Sequence, residues 1–282
     1  MELTLLGTGN PIPDPQRAGP SHLVRVGDDR ILVDCGTGAV RRLVEAGENP
    51  RDVHTVLLTH MHSDHSIDLG HFLIARWTLW SQRPLLLVGP PGLREHVDTL
   101  LRLLAWDIRM RRFDERLSEE ARRVEVREVA AGERVEGDHW QATAIAVDHF
   151  PVEHAYAWRF DADGASLVIS GDTAPYEPLA RAAAGVDLLV HETWLPPWEE
   201  PARRYMAPEK AEAFIAMRNR YHTSSRDVGR IARLADPKLL LLSHLGPVNT
   251  EQVSADVARD FGRFVVGEDL LRYDVGRVRN LS

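Results

Sequence analysis

Short apolar runs recur along the chain, and each predicts a buried strand. In the first third these runs are Glu2–Leu6, His22–Val26, Ile31–Asp34, Val56–Leu58 and Leu85–Val88. Gly27-Asp28-Asp29 lies between the second and third and reads as a hairpin turn. Further on, Trp140–Val147 alternates apolar and polar positions, and Tyr156–Phe160 and Ser166–Ser170 flank the turn Asp161-Ala162-Asp163-Gly164. Asp187–Val190 and Leu239–Leu242 complete the set. Helical spacing appears between these runs. A helix following Gly38 is expected to run to about Ala46 and stop at Gly47. Ser66–Trp80 places Ile67, Leu69, Phe72, Leu73, Trp77 and Trp80 at helical intervals. Leu93–Trp106, Pro175–Ala184, Ser225–Ala235 and Thr250–Phe261 are read the same way. The long connection from Trp194 to Tyr221 is expected to be helical over Pro208–Arg218. Strands alternating with helices predict a layered α/β core. The weakest pattern is residues 107–136, where charges of both signs alternate from Arg109 through Asp114, Glu115 and Arg116 to Arg123. Mixed signs predict a solvated face there, with a lid or homodimer surface as the alternative.

Candidate chemistry falls at the strand ends. Val56–Leu58 leads into Thr59-His60-Met61-His62-Ser63-Asp64-His65. Residues two apart on an extended segment point the same way, so His60 and His62 can grip one metal ion. The chain then turns, carrying Asp64 and His65 towards a second position. His149 follows Trp140–Val147, Asp172 follows Ser166–Ser170, and His244 follows Leu239–Leu242. A single site assembled at the ends of strands in a layered core accounts for all of these residues. Imidazole and carboxylate donors suit zinc, with manganese or iron as alternatives.

Composition narrows the class. The chain has 282 residues, and no low-complexity linker divides it. The one cysteine, Cys35, excludes an internal disulfide and is compatible with the cytosol. No apolar run reaches the roughly 18 residues needed to span a bilayer, and Met1–Gly7 lacks the basic start of a signal peptide, so a cytoplasmic protein with no membrane partner is expected. The formal net charge of −8 argues against a large polyanionic substrate, because phosphate contacts call for a basic surface.

The segments Thr59–His65, His149, Ser170-Gly171-Asp172-Thr173 and Leu242-Ser243-His244 resemble, in the same order, the signposts of the metallo-β-lactamase superfamily. The resemblance implies an αββα four-layer sandwich, residues 1–282 as one hydrolase domain, and a dinuclear metal site at the sheet edge. It implies that His60, His62 and His149 hold one zinc ion. Asp64, His65 and His244 would then hold another, and Asp172 would bridge the two. His154 competes with His149 for the third position, and the spacing back from Trp158-Arg159 favours His149. Finer features are similar to the RNase Z and arylsulfatase-like branch. They are Leu6-Gly7-Thr8-Gly9 with Pro11 and Pro13, Val33-Asp34-Cys35-Gly36, His191-Glu192-Thr193-Trp194 and His222-Thr223-Ser224. The branch implies a catalytic role for Glu192 and His222 alongside Asp64.

Two metal ions about 3.5–4 Å apart can share a hydroxide with a pKa near 7, and His222 can supply the proton the leaving group needs. The expected function is therefore zinc-dependent hydrolysis of phosphodiester or sulfate esters. Bacterial RNase Z proteins often carry an arm between the third and fourth signposts, whereas here only a short passage separates His149 from Asp172. A small-molecule ester is accordingly expected as substrate rather than tRNA. The alternatives are a tRNA 3′-processing endoribonuclease, or a lactonase or thioesterase on the same metal core. An oxygen-reducing diiron relative is disfavoured, because such proteins carry glutamate where His62 stands and need a flavin domain.

Overall fold

The structure, a computed structural model, describes residues 1–113, 117, 119–194 and 199–282. The strands of its first half are β1 (Glu2–Gly7), β2 (Ser21–Val26), β3 (Asp29–Val33), β4 (Thr55–Leu57), β5 (Leu85–Gly89), β6 (Val124–Glu128) and β7 (Arg134–Glu136). Those of its second half are β8 (Trp140–Ala146), β9 (Tyr156–Ala162), β10 (Ala165–Ile169), β11 (Leu188–Glu192), β12 (Leu239–Ser243), β13 (Phe264–Val266), β14 (Arg272–Asp274) and β15 (Arg279–Asn280). One sheet has the order β15-β14-β1-β2-β3-β4-β5-β6 and the other β13-β12-β11-β10-β9-β8-β7.

Alternation along the strands builds the layers. In β3, Ile31 and Val33 face the second sheet and Leu32 faces the outer helices. In β10 and β12, Leu167, Ile169 and Leu241 point to the space between the sheets, while Val168, Leu240 and Leu242 point to the opposite helices. The central layer joins Leu57 and Val88 of one sheet to Trp158, Phe160 and Val190 of the other. On the outside, Leu43, Phe72 and Val97 cover the first sheet, and Leu179, Val228, Ile231 and Val257 cover the second. The result is helices, sheet, sheet, helices, as expected for an αββα sandwich. Each fully buried Leu or Val contributes about 1.5–3 kcal/mol relative to exposure, so these faces fix strand register. The inner strands β3 to β5 and β10 to β12 are covered on both faces, which is why they read as apolar runs.

Several boundaries differ from the sequence pattern. Ser66–Trp80 divides into a turn at Ser63–Ser66 and a helix at Leu69–Thr78, because the first turn must present Asp64 and His65 inward. Leu93–Trp106 breaks after Leu103, and a second helix covers Ala105–Arg111. The mixed-charge stretch holds β6 and β7, which alternation did not reveal because edge strands expose much of their surface. Asp114, Glu115 and Arg116 of that stretch lie outside the described residues. So do residues 195–198 of the long connection, which otherwise carries helices at Glu199–Tyr205 and Pro208–Tyr221. The last helix ends at Val257, and the tail adds the short strands β13, β14 and β15 at the margins of the two sheets. No helix among the described residues is long and apolar enough to cross a membrane.

Candidate metal centre

The strands β4, β10, β11 and β12 deliver their carboxyl ends to one edge of the sandwich. β8 runs in the same direction as β10, since each pairs antiparallel with β9. Ligands in open α/β sheets gather at such an edge. The two sheets are joined there by hydrogen bonds from Tyr156 N to Thr59 O (2.9 Å) and from Trp158 Nε1 to Leu58 O (3.1 Å). Gly171 sits at the same seam with φ 59°, and a Cβ there would stand 2.8 Å from both Thr59 Cβ and Tyr156 O. Only glycine lets the backbone pass and swing Asp172 into the centre.

Seven expected ligand residues converge, in two groups. His60 Nε2 lies 3.0 Å from His62 Nδ1, which lies 3.2 Å from His149 Nε2. Asp172 Oδ2 stands 3.8 Å from His60 Nε2 and 3.8 Å from His149 Nε2. In the second group, Asp64 Oδ2 lies 3.6 Å from His65 Nε2 and 3.3 Å from His244 Nε2. The other oxygen of Asp172, Oδ1, lies 3.2 Å from His65 Nε2 and 3.4 Å from His244 Nε2. The Asp172 carboxylate therefore faces one group with each oxygen. Zinc–nitrogen bonds of ~2.0–2.1 Å give tetrahedral edges of ~3.3–3.4 Å, so both groups match the spacing of ligands around a metal ion. His154 is exposed and stands apart from the cluster, whereas His149 is buried within it.

The neighbours of these histidines fix their tautomers. Thr59 Oγ1 donates to Asp34 Oδ2 (2.9 Å), so His60 Nδ1 donates to Thr59 Oγ1 (3.0 Å). His65 Nδ1 donates to Asp34 Oδ2 (2.8 Å), and His149 Nδ1 donates to the Tyr221 carbonyl (2.9 Å). Each ring thereby turns its Nε2 lone pair to the centre, the arrangement that orients metal-binding imidazoles. The carboxylate of Asp34 also accepts from Thr59 N at 2.8 Å. Asp34 and His244 both hold left-handed backbone angles, φ 58° and 60°. Such conformations cost of order 1–3 kcal/mol and persist where the surroundings impose them, commonly at functional sites. Asp34 was quoted in the sequence only as part of a strand end. An acid closing a buried strand was the signal for its role.

Electrostatics supports a cation. Burial lowers the pKa of His60 well below the usual range, lowers that of His62, and lowers that of His149 to about 4, so these rings hold open lone pairs. Burial opposes charge on His65 too, but Asp172 and Asp34 outweigh it and raise its pKa well above normal. Burial pushes the Asp172 carboxyl upward, yet the imidazoles of His244 and His65 pull it well below the usual carboxylate range. The negative field that attracts a proton to His65 also favours a cation at that position. Among the described residues, the buried His65 Nε2 and Asp172 Oδ1 find no hydrogen-bond partner of good geometry. Two orphaned, convergent ligand atoms, an imidazole nitrogen and a carboxylate oxygen, fit a divalent metal site.

Beside this cluster, His222 Nδ1 lies 3.0 Å from Glu192 Oε1. His222 is buried and also shares a group with Asp172 and His244 whose ligand atoms lie within 4.8 Å of one another. Glu192 closes β11, and its pKa is raised by burial and then by the charge of Asp172. A cleft of about 410 Å³ opens onto the centre, lined by His62, Asp64, His149, Phe150, Tyr221 and His222 among others. A second, of about 520 Å³, reaches Asp64 from the side of Pro11, Arg17 and Ile67. Phe150 and the Pro11–Pro15 loop were not marked as site walls by the sequence. Of the remaining histidines, His22 is buried, its Nδ1 finds no partner among the described residues, and burial lowers its pKa to about 3. It lines a chamber of about 20 Å³ behind the cluster, with room for one water.

Comparison with known proteins gives a consistent result. A family description, "Beta-lactamase superfamily domain", matches residues 29–245. A protein named Ribonuclease Z from Mycobacterium bovis (strain BCG / Pasteur 1173P2) is 38% identical over 98% of both chains. One of the same name from Mycobacterium tuberculosis (strain ATCC 25618 / H37Rv) is 36% identical, again over 98% of each. Among solved structures, the metallo-β-lactamase fold protein YhfI from Bacillus subtilis superposes with a TM-score of 0.72 at 20% identity, covering 96% of this chain and 98% of its own. The short form of human tRNase Z gives 0.72 at 20% identity, covering 98% and 99%. These findings overturn two expectations. The main reading, hydrolysis of small phosphodiester or sulfate esters, gives way to its ribonuclease Z alternative. The preference for a small-molecule substrate over tRNA falls with it. The short passage between His149 and Asp172 does not exclude a ribonuclease Z, because a relative of that name matches this chain over 98% of both lengths. A net charge of −8 averages the whole surface and does not report the local field at a cleft.

Proposed function

Because this chain belongs to the β-lactamase superfamily, in its ribonuclease Z branch, we propose that it is a metal-dependent endoribonuclease that cuts precursor tRNA on the 3′ side. The observation that carries this reading is the 38% identity to a protein named Ribonuclease Z across 98% of both chains. The geometry agrees with a chain-like substrate. Two clefts meet at Asp64, so a strand laid across the centre has room on either side of it.

The ligand set we propose is His60, His62 and His149 for one ion, Asp64, His65 and His244 for another, and Asp172 between them. Two zinc ions are the proposed complement. When bound, they supply Lewis acidity and lower the pKa of water to about 7. The protein's own groups do the rest. Asp34 and Thr59 hold the rings of His65 and His60 in place. Asp64 and Asp172 offset the positive charge of the site. His222, held by Glu192, gives a proton to the departing ribose oxygen, which contributes about 10²–10⁴-fold in such reactions.

The test uses a precursor tRNA carrying a 3′ trailer, with product ends mapped. Metal-dependent cleavage at one position near the 3′ end of the acceptor stem is the expected result. No cleavage by a preparation that hydrolyses bis(p-nitrophenyl) phosphate in a metal-dependent way overturns the proposal.

A further inference from the structure

Phe150 follows the buried His149 directly, yet half of its surface is exposed (50%) on the wall of the cleft that opens onto the metal centre. The guanidinium carbon of Arg220 stands 4.3 Å from the centre of its ring. Arg220 is the penultimate residue of the helix Pro208–Tyr221, and its neighbour Tyr221 lines the same cleft and holds His149 through its carbonyl. Met217, one turn earlier, adds a further exposed apolar side chain to that wall.

A solvent-facing phenyl ring does not need this setting for stability. An exposed cation–π contact contributes only about 0.5–1 kcal/mol, less than burying the ring would. The pair does have the two properties that single-stranded RNA recognition calls for. A flat apolar face accepts a base without regard to its identity, and a guanidinium both stacks and meets phosphate. Its place fixes its reach. Phe150 is covalently next to a proposed metal ligand, so a phosphate at the centre brings a flanking nucleotide against it.

Resting on the ribonuclease reading, we propose that Phe150 and Arg220 form a stacking platform for a nucleobase adjoining the scissile phosphate. The platform positions the strand and takes no part in bond breaking. Stacking is sequence-tolerant, so removing one base should matter more than changing it.

The experiment walks an abasic nucleotide through a precursor tRNA, on both sides of the cleavage point, and measures kcat/KM for wild type, Phe150→Ala and Phe150→Trp. For wild type, one abasic position should lower kcat/KM by about 5- to 150-fold, the worth of stacking one base. Phe150→Ala should lose a similar factor on the intact substrate and almost nothing more at that one abasic position. Phe150→Trp should restore the rate on the intact substrate. Metal content equal to wild type reports an intact centre in both variants, and the wild-type abasic series needs no variant at all. Equal losses for Phe150→Ala across every abasic substrate, or a flat abasic series with wild type, overturn the platform while leaving the ribonuclease reading standing. Failure of wild type to cleave the intact precursor overturns both.

Discussion

His222 Nδ1 lies 3.0 Å from Glu192 Oε1, and that same oxygen accepts backbone N–H groups from Thr173 at 2.9 Å and Thr223 at 3.3 Å. An oxygen that accepts two N–H groups presents lone pairs to its third neighbour, so Nδ1 is the donor in this pair. The exchangeable proton of the imidazole is then carried on Nε2. The arrangement gives a ring of set tautomer, 30 positions from its partner in the chain, at the rim of the metal cluster.

Leaving groups that depart poorly should expose this role. His222→Ala should keep its metal, since His222 is outside the proposed ligand set. It should lose about 10²–10⁴-fold on ribose or alkyl leaving groups and much less on p-nitrophenolate, which departs nearly unaided. Glu192→Gln keeps the acceptor at Oε1 and should show the same trend more weakly. The measurement is log rate against leaving-group pKa for all three proteins. Equal slopes for wild type and His222→Ala would remove the proton-donor role.

Two metal equivalents are expected in protein purified without chelator. Stripping them with a chelator should lower the melting temperature, because an ion bound to the folded chain and not to the unfolded one stabilises the fold. Full activity in a preparation holding a single equivalent would contradict the dinuclear site.

His149→Ala should abolish activity and reduce metal content, because it opens one ligand position of a buried cluster. His154→Ala should leave both near wild type, since that side chain is exposed and apart from the cluster. The reverse result would show that the ligand lies at 154.

Asp34 touches no proposed metal position, yet its carboxylate sets His65 and anchors Thr59. Asp34→Asn should weaken metal affinity by about 10–100-fold, the usual effect of losing the group that orients a ligand histidine. Competition with a metal-sensitive dye measures this directly. Unchanged affinity would reduce Asp34 to a structural cap of its strand.

Much of this was legible in the chain. The apolar runs of β3, β4, β5, β10, β11 and β12 mark strands covered on both faces, where burial overrides everything else. The histidines and aspartates just beyond them follow from the same pattern, because a ligand two residues past a strand end inherits the strand's direction. The strands β6, β7 and β13 to β15 were not legible. They are short, lie at or next to sheet edges, and owe their form to pairing with a neighbour rather than to an alternation of their own. The substrate was misjudged for a related reason. Net charge and insertion length are whole-chain properties, whereas recognition depends on a few side chains around one cleft.

By itself, then, the sequence determined the layers and the list of candidate metal ligands, since periodicity and residue type are local. Tertiary structure alone decided how those side chains meet. It split the two oxygens of Asp172 between two groups of histidines, and it buried His149 within the cluster while leaving His154 exposed. It also brought Asp34 under His65 and Phe150 against Arg220. These are contacts between residues 31 to 70 positions apart, fixed by the packing of two sheets whose seam no local pattern encodes.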